Sequence, residues 1–354
     1  MTTTYDGIAK EYQASKLQPW RTHVERHTLL RLAGDVRGAT TLDLACGEGH
    51  YTRLLRRLGA DPVVGVHVSP AMIDLARAQE VAEPLGIRYR VEDARAVDER
   101  PRADLVFAAY LLNYAQDYAE LLAMCEAIAR NLEPGGRFVT VNNHPDDPPD
   151  NFETGRAYGY SKRLAGPLEE SAPIVWRFHL AEGTVEVTNF YLTLATMELA
   201  LKSAGLRDVR WHQPQVSPEG LRQWGEEHWR GFLSRPPIVF LECVKCRSVA
   251  RQDNRPPAHR RARHATPEPS YERLINSEMV VEEPQPPTSR NVERQEVLPP
   301  PASDCHSSPE WLSSPSRITN TCVFLRGNGG WRWKATQNPT QLELRRELHG
   351  VAHW

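Results

Sequence analysis

The sequence lacks the features that would place a protein in a membrane or outside the cell. Its 354 residues include no apolar run of about 18 residues, which is the length that a membrane-spanning helix needs. The N-terminal stretch MTTTYDGIAKEYQ has no basic region followed by an apolar one, so no secretory signal is expected. Six cysteines are too few for a disulfide scaffold. We therefore expect a cytoplasmic protein that makes no membrane contact.

A strong charge of either sign is also missing, and the composition changes within the chain. The formal net charge is −2, so no positive field over the whole protein favours nucleic acid. Residues 1–245 carry a net charge of −5, whereas residues 246–354 carry +3 and hold 13 of the 28 prolines. We expect a folded domain over 1–245 and a Pro- and Arg-rich, mostly disordered tail over 246–354, where the stretch around Gly327–Gly330 is compatible with a hairpin.

Strand-like and helix-like segments alternate through residues 1–245. Short apolar runs predict strands at Thr40–Ala45, Pro62–Val68, Ile87–Val91, Ala103–Ala109, Arg137–Asn142, Asp208–His212 and Ile238–Val244. Amphipathic stretches predict helices at His50–Leu58, Ala71–Leu85, Tyr118–Leu132, Thr196–Ala204 and Pro218–Phe232. This alternation predicts an α/β fold with a doubly wound, mostly parallel sheet. Ligands of such sheets bind at the carboxyl ends of the strands.

A glycine-rich turn follows the first predicted strand, in the segment LDLACGEGH (Leu42–His50). Glycines let the backbone approach a ligand closely, and the next helix directs free N–H groups at the turn, so a nucleotide cofactor is expected. A dinucleotide site, as in a nicotinamide-dependent oxidoreductase, would need a third glycine where Thr52 stands. Asp43 and Glu48 would also repel a pyrophosphate, but they suit a ligand that carries a cationic amine or sulfonium.

Five motifs in this order resemble those of the class I S-adenosylmethionine-dependent methyltransferases. They are LDLACGEG, VVGVHVSPAMIDLAR, VEDA, ADLVFAAYLLNY and LEPGGRFVTV. The resemblance covers about residues 5–245, and within the family the chain looks most like small-molecule methyltransferases of bacterial secondary metabolism, such as the toxoflavin-type N-methyltransferases. It implies a seven-stranded Rossmann-like sheet, S-adenosylmethionine as the cofactor, and methyl transfer to a small metabolite.

The resemblance also implies which residues bind the cofactor. They are Tyr12, Arg21, Asp43, Ala45, Gly47, Gly49, His67, Met72, Asp93, Ala94 and Ala109. Asp43 would face the amino group of the methionine moiety, and Arg21 would pair with its carboxylate. Met72 would pack against the adenine, while Asp93 and the Ala94 N–H would bind the edge of its ring.

One position departs from the family pattern. The family carries Asp or Glu at the end of the second strand, where the carboxylate binds both ribose hydroxyls, but this chain has His67. A neutral imidazole cannot make two equivalent hydrogen bonds to a diol. We therefore expect weaker cofactor binding by roughly 1–3 kcal/mol, and a non-catalytic cofactor- or partner-binding protein on a methyltransferase fold remains an alternative.

Methyl transfer from a sulfonium is an in-line displacement, so the enzyme must mainly position its reactants. Where the acceptor is protonated a base is needed, and our candidates are His144, after the fifth strand, and Tyr110, which with Ala109 would line the sulfonium side. Residues 143–195 form a long insertion that holds several aromatic residues, and its segments VWRFHL (175–180) and VEVTNFYLTL (185–194) predict paired strands. We expect this insertion to be a lid over a small heteroaromatic or phenolic substrate. Nucleic-acid substrates are not expected, because the catalytic part is acidic.

The sequence also contains a spacing of cysteines and histidines that is typical of zinc sites. Cys243, Cys246, His259 and His264 have the spacing of a zinc finger. However, the prolines at positions 256 and 257 would interrupt the helix that carries the histidines. We therefore expect no metal. The sequence leaves the oligomeric state undetermined.

Overall fold

The computed structural model describes residues 5–247, 322–327 and 330–335, and the chain divides into two units, Met1–Pro284 and Gln285–Trp354. The helices of the first unit are α1 (Ala9–Ser15), α2 (Arg26–Ala33), α3 (His50–Arg57), α4 (Pro70–Ala82), α5 (Tyr118–Asn131), α6 (Leu194–Ser203) and α7 (Pro218–Ser234). Its strands are β1 (Thr41–Leu44), β2 (Val63–His67), β3 (Arg88–Val91), β4 (Ala103–Ala109), β5 (Leu132–Asn143), β6 (Tyr160–Leu164), β7 (Pro173–Leu180), β8 (Gly183–Phe190), β9 (Leu206–His212) and β10 (Ile238–Lys245). A π-helical turn, Arg21–Glu25, leads directly into α2.

Seven strands of this unit form one sheet in the order β3-β2-β1-β4-β5-β10-β9. Neighbours from β3 to β5 are parallel, and β10 runs antiparallel to both β5 and β9. The predicted seven-stranded, mostly parallel, doubly wound sheet is therefore confirmed. The strand order reverses between β1 and β4, and this switch point is where such sheets bind their ligands.

Helices cover both faces of the sheet, which explains the continuous apolar runs in the sequence. Every residue of β1 and β2 is buried, as expected for central parallel strands. Along β4 the side chains alternate between two apolar clusters, so that Phe107 packs in one and Val106 in the other. The helix start predicted at Ser69-Pro70 is present, because the Ser69 hydroxyl accepts the Met72 N–H at 3.3 Å.

The insertion between β5 and α6 contains a separate three-stranded antiparallel sheet, β6-β7-β8. The paired strands that the sequence predicts here correspond to β7 and β8, whereas β6 was not predicted. The second predicted strand was expected to continue through Leu194, but β8 ends at Phe190. The reason is local, because the Thr193 hydroxyl accepts the Thr196 N–H and so caps α6.

A buried ion pair attaches this small sheet to the end of β5. The Lys162 ammonium on β6 donates to Asp147, and both side chains are at most 3% exposed. The ammonium also lies 4.6 Å from the centre of the Trp176 ring and 4.8 Å from that of Phe152. Burial lowers the pKa of Lys162, and Asp147 opposes that shift. Because an unpaired buried charge is costly, the pair holds β6 against the segment that directly follows β5.

In the second unit the structure describes only a hairpin. Strand β11 (Cys322–Gly327) pairs antiparallel with β12 (Gly330–Ala335), and Gly327 lies opposite Gly330, where the sequence is compatible with a turn. The tail predicted to be mostly disordered begins at residue 246. Of this tail the structure describes only Cys246, Arg247 and the two hairpin strands. Among the residues that the structure describes, no helix combines the length and the apolar character that crossing a bilayer would require.

We predict that residues 1–246 fold without the rest of the chain. Strand β10 completes the sheet before this boundary, so deletion of residues 247–354 removes no element of the sheet. The truncation is expected to shift the Tm by no more than about 2 °C, the lower end of the 2–4 °C by which 1 kcal/mol moves the Tm of a domain of this size. A larger loss of Tm, or loss of cofactor binding, would show that the domain boundary lies further along the chain.

Candidate active site

A cavity of about 440 Å³ lies at the carboxyl ends of the parallel strands. Its volume is within the range of small-molecule sites. Nine of the thirteen predicted site residues line it: Tyr12, Ala45, Gly47, His67, Met72, Asp93, Ala94, Ala109 and Tyr110. The other four, Arg21, Asp43, Gly49 and His144, are not among the residues that line this cavity. The structure therefore brings nine of the predicted residues together around one cavity, and their roles toward a ligand stay predictions.

The glycine-rich turn connects β1 to α3 with a left-handed backbone. Ala45, Gly47 and Gly49 all have positive φ, at 59°, 59° and 87°. Gly49 lies below the turn, where a Cβ would collide with the Tyr89 ring. Only glycine combines this φ with such a close approach. Ala45 and Gly47 of the turn therefore line the cavity, whereas Gly49 packs against Tyr89 and does not line it.

Asp43 lies beneath the turn and is 1% exposed. Its Oδ2 accepts the Thr52 hydroxyl at 2.6 Å, while Oδ1 has no hydrogen-bond partner among the described residues. Burial raises the pKa of Asp43 to about 7. Thr52, which replaces the third glycine of a dinucleotide site, therefore binds an acidic side chain instead. The free Oδ1 is a buried acceptor, which fits a ligand ammonium bound directly or through water.

Lys16 is a site residue that sequence reasoning missed. Its ammonium lies on the cavity wall, 3.3 Å from Glu48 Oε2, and the side chain is 9% exposed. Asp43, Glu48 and Lys16 thus place two carboxylates and one ammonium at the turn. This set fits the zwitterionic amino-acid end of S-adenosylmethionine, whose ammonium and carboxylate need one partner of each sign. Lys16 follows α1, and no motif of the sequence links it to the turn 30 residues later.

Arg21 lies in a buried network next to the cavity. Its guanidinium donates to Glu25 Oε2 at 3.2 Å and to the Ser15 hydroxyl at 2.8 Å. Arg21 and Glu25 are only 2% and 1% exposed. The guanidinium is thus already engaged inside the protein. The predicted contact of Arg21 with the methionine carboxylate stays a prediction, and Lys16 is a cation that the structure places on the cavity wall at the glycine turn.

Tyr110, at the end of β4, connects that network to the cavity. Its hydroxyl donates to Glu25 Oε2 at 2.6 Å, and the Tyr51 hydroxyl donates to Glu25 Oε1 at 2.7 Å. Burial, followed by the Glu25 charge, raises the pKa of Tyr110 well above its usual value. Tyr110 therefore stays a neutral phenol at physiological pH. Glu25 was not anticipated from the sequence, although its spacing of four residues from Arg21 is a recognisable helical ion-pair signal.

His67 has one fixed protonation state. Its Nδ1 accepts the Ser69 N–H at 3.0 Å, so the proton of the neutral ring resides on Nε2. Burial lowers the pKa of His67 to about 4, which keeps the ring uncharged. At this position the imidazole would therefore offer an N–H donor to a cofactor diol, whereas the family has a carboxylate acceptor.

The remaining charged side chains of the cavity cluster beyond β3. Asp93 Oδ2 accepts from the Arg95 guanidinium at 2.7 Å, and this bond lowers the pKa of Asp93. Arg95 also pairs with Glu120 at 3.1 Å. Met72 is fully buried beside them in the cavity wall. The arrangement provides an ionised acceptor and an apolar surface, which are the features that an adenine would use.

A second group of residues that line the cavity has uncharged side chains. They come from the segment after β4 and from β8, and they are Leu111, Tyr114, Val187, Thr188 and Phe190. The Tyr114 hydroxyl contacts the hydroxyl of Tyr5, whose ring lies edge-on to His67 at 5.5 Å. The N-terminal segment and the inserted sheet therefore cover the cavity together.

His144 lies outside this cavity. It lines a separate small pocket together with Asp147, and its Nδ1 accepts the Asp146 N–H at 3.1 Å. Burial lowers the pKa of His144. From its position after β5, His144 was expected at the mouth of the cleft. In the structure the His144 backbone N–H donates to the Pro237 carbonyl at 2.9 Å. Its role as a base stays a prediction without support from this geometry.

No cluster of three His, Cys, Asp or Glu side chains suited to a metal ion occurs among the described residues. Cys243 is buried in β10, while Cys246 is exposed. His259 and His264, the other members of the finger-like spacing, lie outside the described residues.

Two curated proteins and one solved structure illustrate what this chain is similar to. A family model described as a methyltransferase domain matches residues 41–136. The N-demethylindolmycin N-methyltransferase of Streptomyces griseus is 28% identical over 170 residues, covering 48% of this chain and 69% of that protein. The trans-aconitate 2-methyltransferase of Azoarcus sp. (strain BH72) is 30% identical over 223 residues, covering 61% and 81%. A solved S-adenosylmethionine-dependent methyltransferase from Mesorhizobium loti is 20% identical, covers 65% of this chain and 100% of that one, and has a TM-score of 0.45.

The raised pKa of Asp43 predicts a pH-dependent affinity for S-adenosylhomocysteine. The ligand ammonium favours the ionised carboxylate, which forms as the pH rises through about 7. Calorimetric titrations between about pH 5.5 and 7.5, where the ligand α-amino group stays protonated, are expected to show affinity rising by up to roughly tenfold per unit below the pKa. Asp43→Asn is expected to bind more weakly with no such slope. A wild-type affinity that did not change with pH would contradict this role.

His67→Asp is expected to tighten cofactor binding. An aspartate can accept the Ser69 N–H with one oxygen and a ribose hydroxyl with the other. Titration with S-adenosylhomocysteine is expected to show a gain of roughly fivefold to a hundredfold, corresponding to about 1–3 kcal/mol. His67→Asn, which keeps the backbone bond without the charge, is the matched control and is expected to gain less. Unchanged or weaker binding by His67→Asp would mean that the imidazole is not at the ribose.

Proposed function

Because the chain belongs to the class I S-adenosylmethionine-dependent methyltransferases, we propose that it methylates a small, uncharged heteroaromatic or phenolic metabolite. The observation that carries the proposal is that the cavity lining combines two groups of side chains. The charged group, from the glycine turn and the region after β3, suits the cofactor. The uncharged group, from the segment after β4 and from β8, suits the acceptor. The cavity therefore has separate chemistry for each of the two reactants.

The cofactor end has partners for each part of S-adenosylmethionine. Asp43 and Glu48 would hold the ammonium, and Lys16 would hold the carboxylate. Asp93 would accept from the adenine amine while Met72 packs against the ring. The cofactor supplies an electrophilic methyl group on a cationic sulfur. All of these protein groups bind and orient, which is what an in-line displacement requires.

The acceptor would lie between the end of β4 and the inserted sheet. Leu111, Val187 and Phe190 offer apolar contacts, and Tyr114 adds an aromatic ring with a polar end. The Lys162–Asp147 pair holds the small sheet against the segment that follows β5, which restricts the position of its cavity-lining residues. This surface excludes water from the methyl group, and it favours a flat, apolar acceptor over a solvated one.

The substrates named for the two relatives differ in charge, and the cavity favours one kind. Trans-aconitate is a tricarboxylate, which would need cations at the acceptor end. The two cations that line the cavity, Lys16 and Arg95, are ion-paired at the glycine turn and beyond β3. An uncharged acceptor, as an aromatic metabolite would be, therefore fits better than a polyanionic one.

A labelled-methyl screen tests this proposal. Purified protein and S-[methyl-³H]adenosylmethionine would be incubated with a panel of neutral heteroaromatic and phenolic compounds, with trans-aconitate as the anionic comparison. Labelled product is expected from at least one neutral aromatic compound and not from trans-aconitate. Transfer to trans-aconitate alone would contradict the proposed substrate class.

Phe190→Ala is expected to weaken use of the acceptor that this screen identifies. Loss of a large apolar contact at the cavity wall should lower kcat/KM by roughly tenfold to a hundredfold, in line with about 1.5–3 kcal/mol for a buried aromatic side chain. Affinity for S-adenosylhomocysteine should stay within twofold. The matched control is Tyr191→Ala, because Tyr191 is the next residue but does not line the cavity. Equal losses in the two variants would place the acceptor elsewhere.

A further inference from the structure

A small side pocket of about 10 Å³ shares part of its wall with the main cavity. Four residues line both spaces, namely Tyr12, Tyr110, Tyr114 and Val187. The rest of the side pocket is lined by three aromatic residues and two asparagines, which are Trp20, Trp176, Phe178, Asn143 and Asn189. A space of this volume is about as large as one water-sized polar group requires.

Asn143, the last residue of β5, brings an unpaired acceptor to this pocket. The Asn189 Nδ2 donates to the Thr188 carbonyl at 3.2 Å, and because a carbonyl only accepts, this bond defines which end of the Asn189 amide is the oxygen. That oxygen accepts from Asn143 Nδ2 at 3.1 Å. The other end of the Asn143 amide is therefore Oδ1, which is buried and has no hydrogen-bond partner among the described residues.

Trp176, on β7, brings an unpaired donor. Its side chain is 2% exposed, and its Nε1 has no hydrogen-bond partner within the part of the chain that the structure describes. Trp176 lies opposite Val187 on β8, and Asn189 is two residues further along β8, so the three side chains share one face of the small sheet. An indole N–H only donates, whereas an amide oxygen only accepts. The pocket is thus lined by residues that carry one unused donor and one unused acceptor.

The main cavity gives a ligand a route to these groups. Asn143 and Trp176 also border the small pocket that contains His144, but that pocket shares one lining residue, Phe190, with the main cavity. The side pocket shares four residues with the main cavity. A substituent on an aromatic ring that binds in the main cavity could therefore extend into the side pocket beside Tyr114.

We propose that the side pocket anchors a hydroxyl group of the acceptor, which donates to Asn143 Oδ1 and accepts from Trp176 Nε1. A hydroxyl combines a donor and an acceptor in one heavy atom, whereas a carbonyl oxygen only accepts and a methyl group does neither. Buried polar atoms are costly to leave without partners, so an acceptor that lacks the hydroxyl is disfavoured. The inference rests on the proposed function and narrows its substrate class to aromatic compounds that carry a hydroxyl.

Binding of phenol and toluene tests the proposal, because a methyl group in toluene replaces the hydroxyl of phenol. Each compound would be titrated into protein saturated with S-adenosylhomocysteine and followed by ligand-observed NMR. Asn143→Leu removes the acceptor with a side chain of similar size. It is expected to weaken phenol binding by roughly tenfold and to leave the affinity for toluene within twofold. Trp176→Phe, which removes the donor, is expected to disfavour phenol relative to toluene in the same direction.

The matched control is Asn142→Leu. Asn142 is the neighbouring asparagine, 1% exposed, and its Oδ1 also has no partner among the described residues, but it does not line the side pocket. Asn142→Leu is expected to leave the ratio of the phenol and toluene affinities within twofold of the wild-type ratio. Equal losses for phenol and toluene in Asn143→Leu, or the same change of ratio in Asn142→Leu, would overturn the inference.

A crystal structure of the wild-type protein with S-adenosylhomocysteine and phenol decides the question where the variants do not fold. The phenol oxygen is expected within hydrogen-bond distance of both Asn143 Oδ1 and Trp176 Nε1. A water molecule between these two atoms, with phenol bound elsewhere, would show a structural water site and overturn the inference.

The labelled-methyl screen separates this inference from the proposed function. Labelled product from a neutral aromatic compound without a hydroxyl, formed as readily as from its hydroxylated analogue, would overturn the inference and leave the proposed function intact. Transfer to trans-aconitate alone would overturn the proposed function and the inference with it.

Discussion

The site depends on the burial of opposite charges at the turn between β1 and α3. Asp43 accepts a hydrogen bond from the Thr52 hydroxyl, and Glu48 forms an ion pair with Lys16. Burial raises the pKa of Asp43 to about 7, because an isolated carboxylate is unfavourable in this environment. A ligand that brings both an ammonium and a carboxylate satisfies these groups, whereas a pyrophosphate would face two acidic side chains.

A second buried charge pair organises the other side of the cavity. Arg21 and Glu25 come from a π-helical turn, a form that is rare and often occurs at functional sites. Glu25 of this pair holds the Tyr110 hydroxyl at the end of β4, and the Lys162–Asp147 pair holds the inserted sheet against the segment that follows β5. Two parts of the cavity wall are thus each supported by an ion pair that does not itself line the cavity.

The sequence predicted what depends on local patterns, and it missed what depends on tertiary contacts. The alternation of apolar runs located the strands of the main sheet, and LDLACGEG located the turn. Lys16 and Glu25 were not predicted as site residues. Their partners, Glu48 and Tyr110, are distant in the chain, and only the folded structure brings each pair together. His144 was expected at the cleft because it follows β5, but its backbone is bonded to Pro237 on the approach to β10. The extent of β8 was misjudged because Thr193 caps α6.

The most direct test of the central claim is a crystal structure of the protein with S-adenosylhomocysteine. The account predicts that the ligand ammonium lies within hydrogen-bond distance of Asp43 or Glu48, directly or through one water, and that its carboxylate meets the Lys16 ammonium. A ligand whose amino-acid end lay away from the turn, with Lys16 still paired only to Glu48, would contradict it.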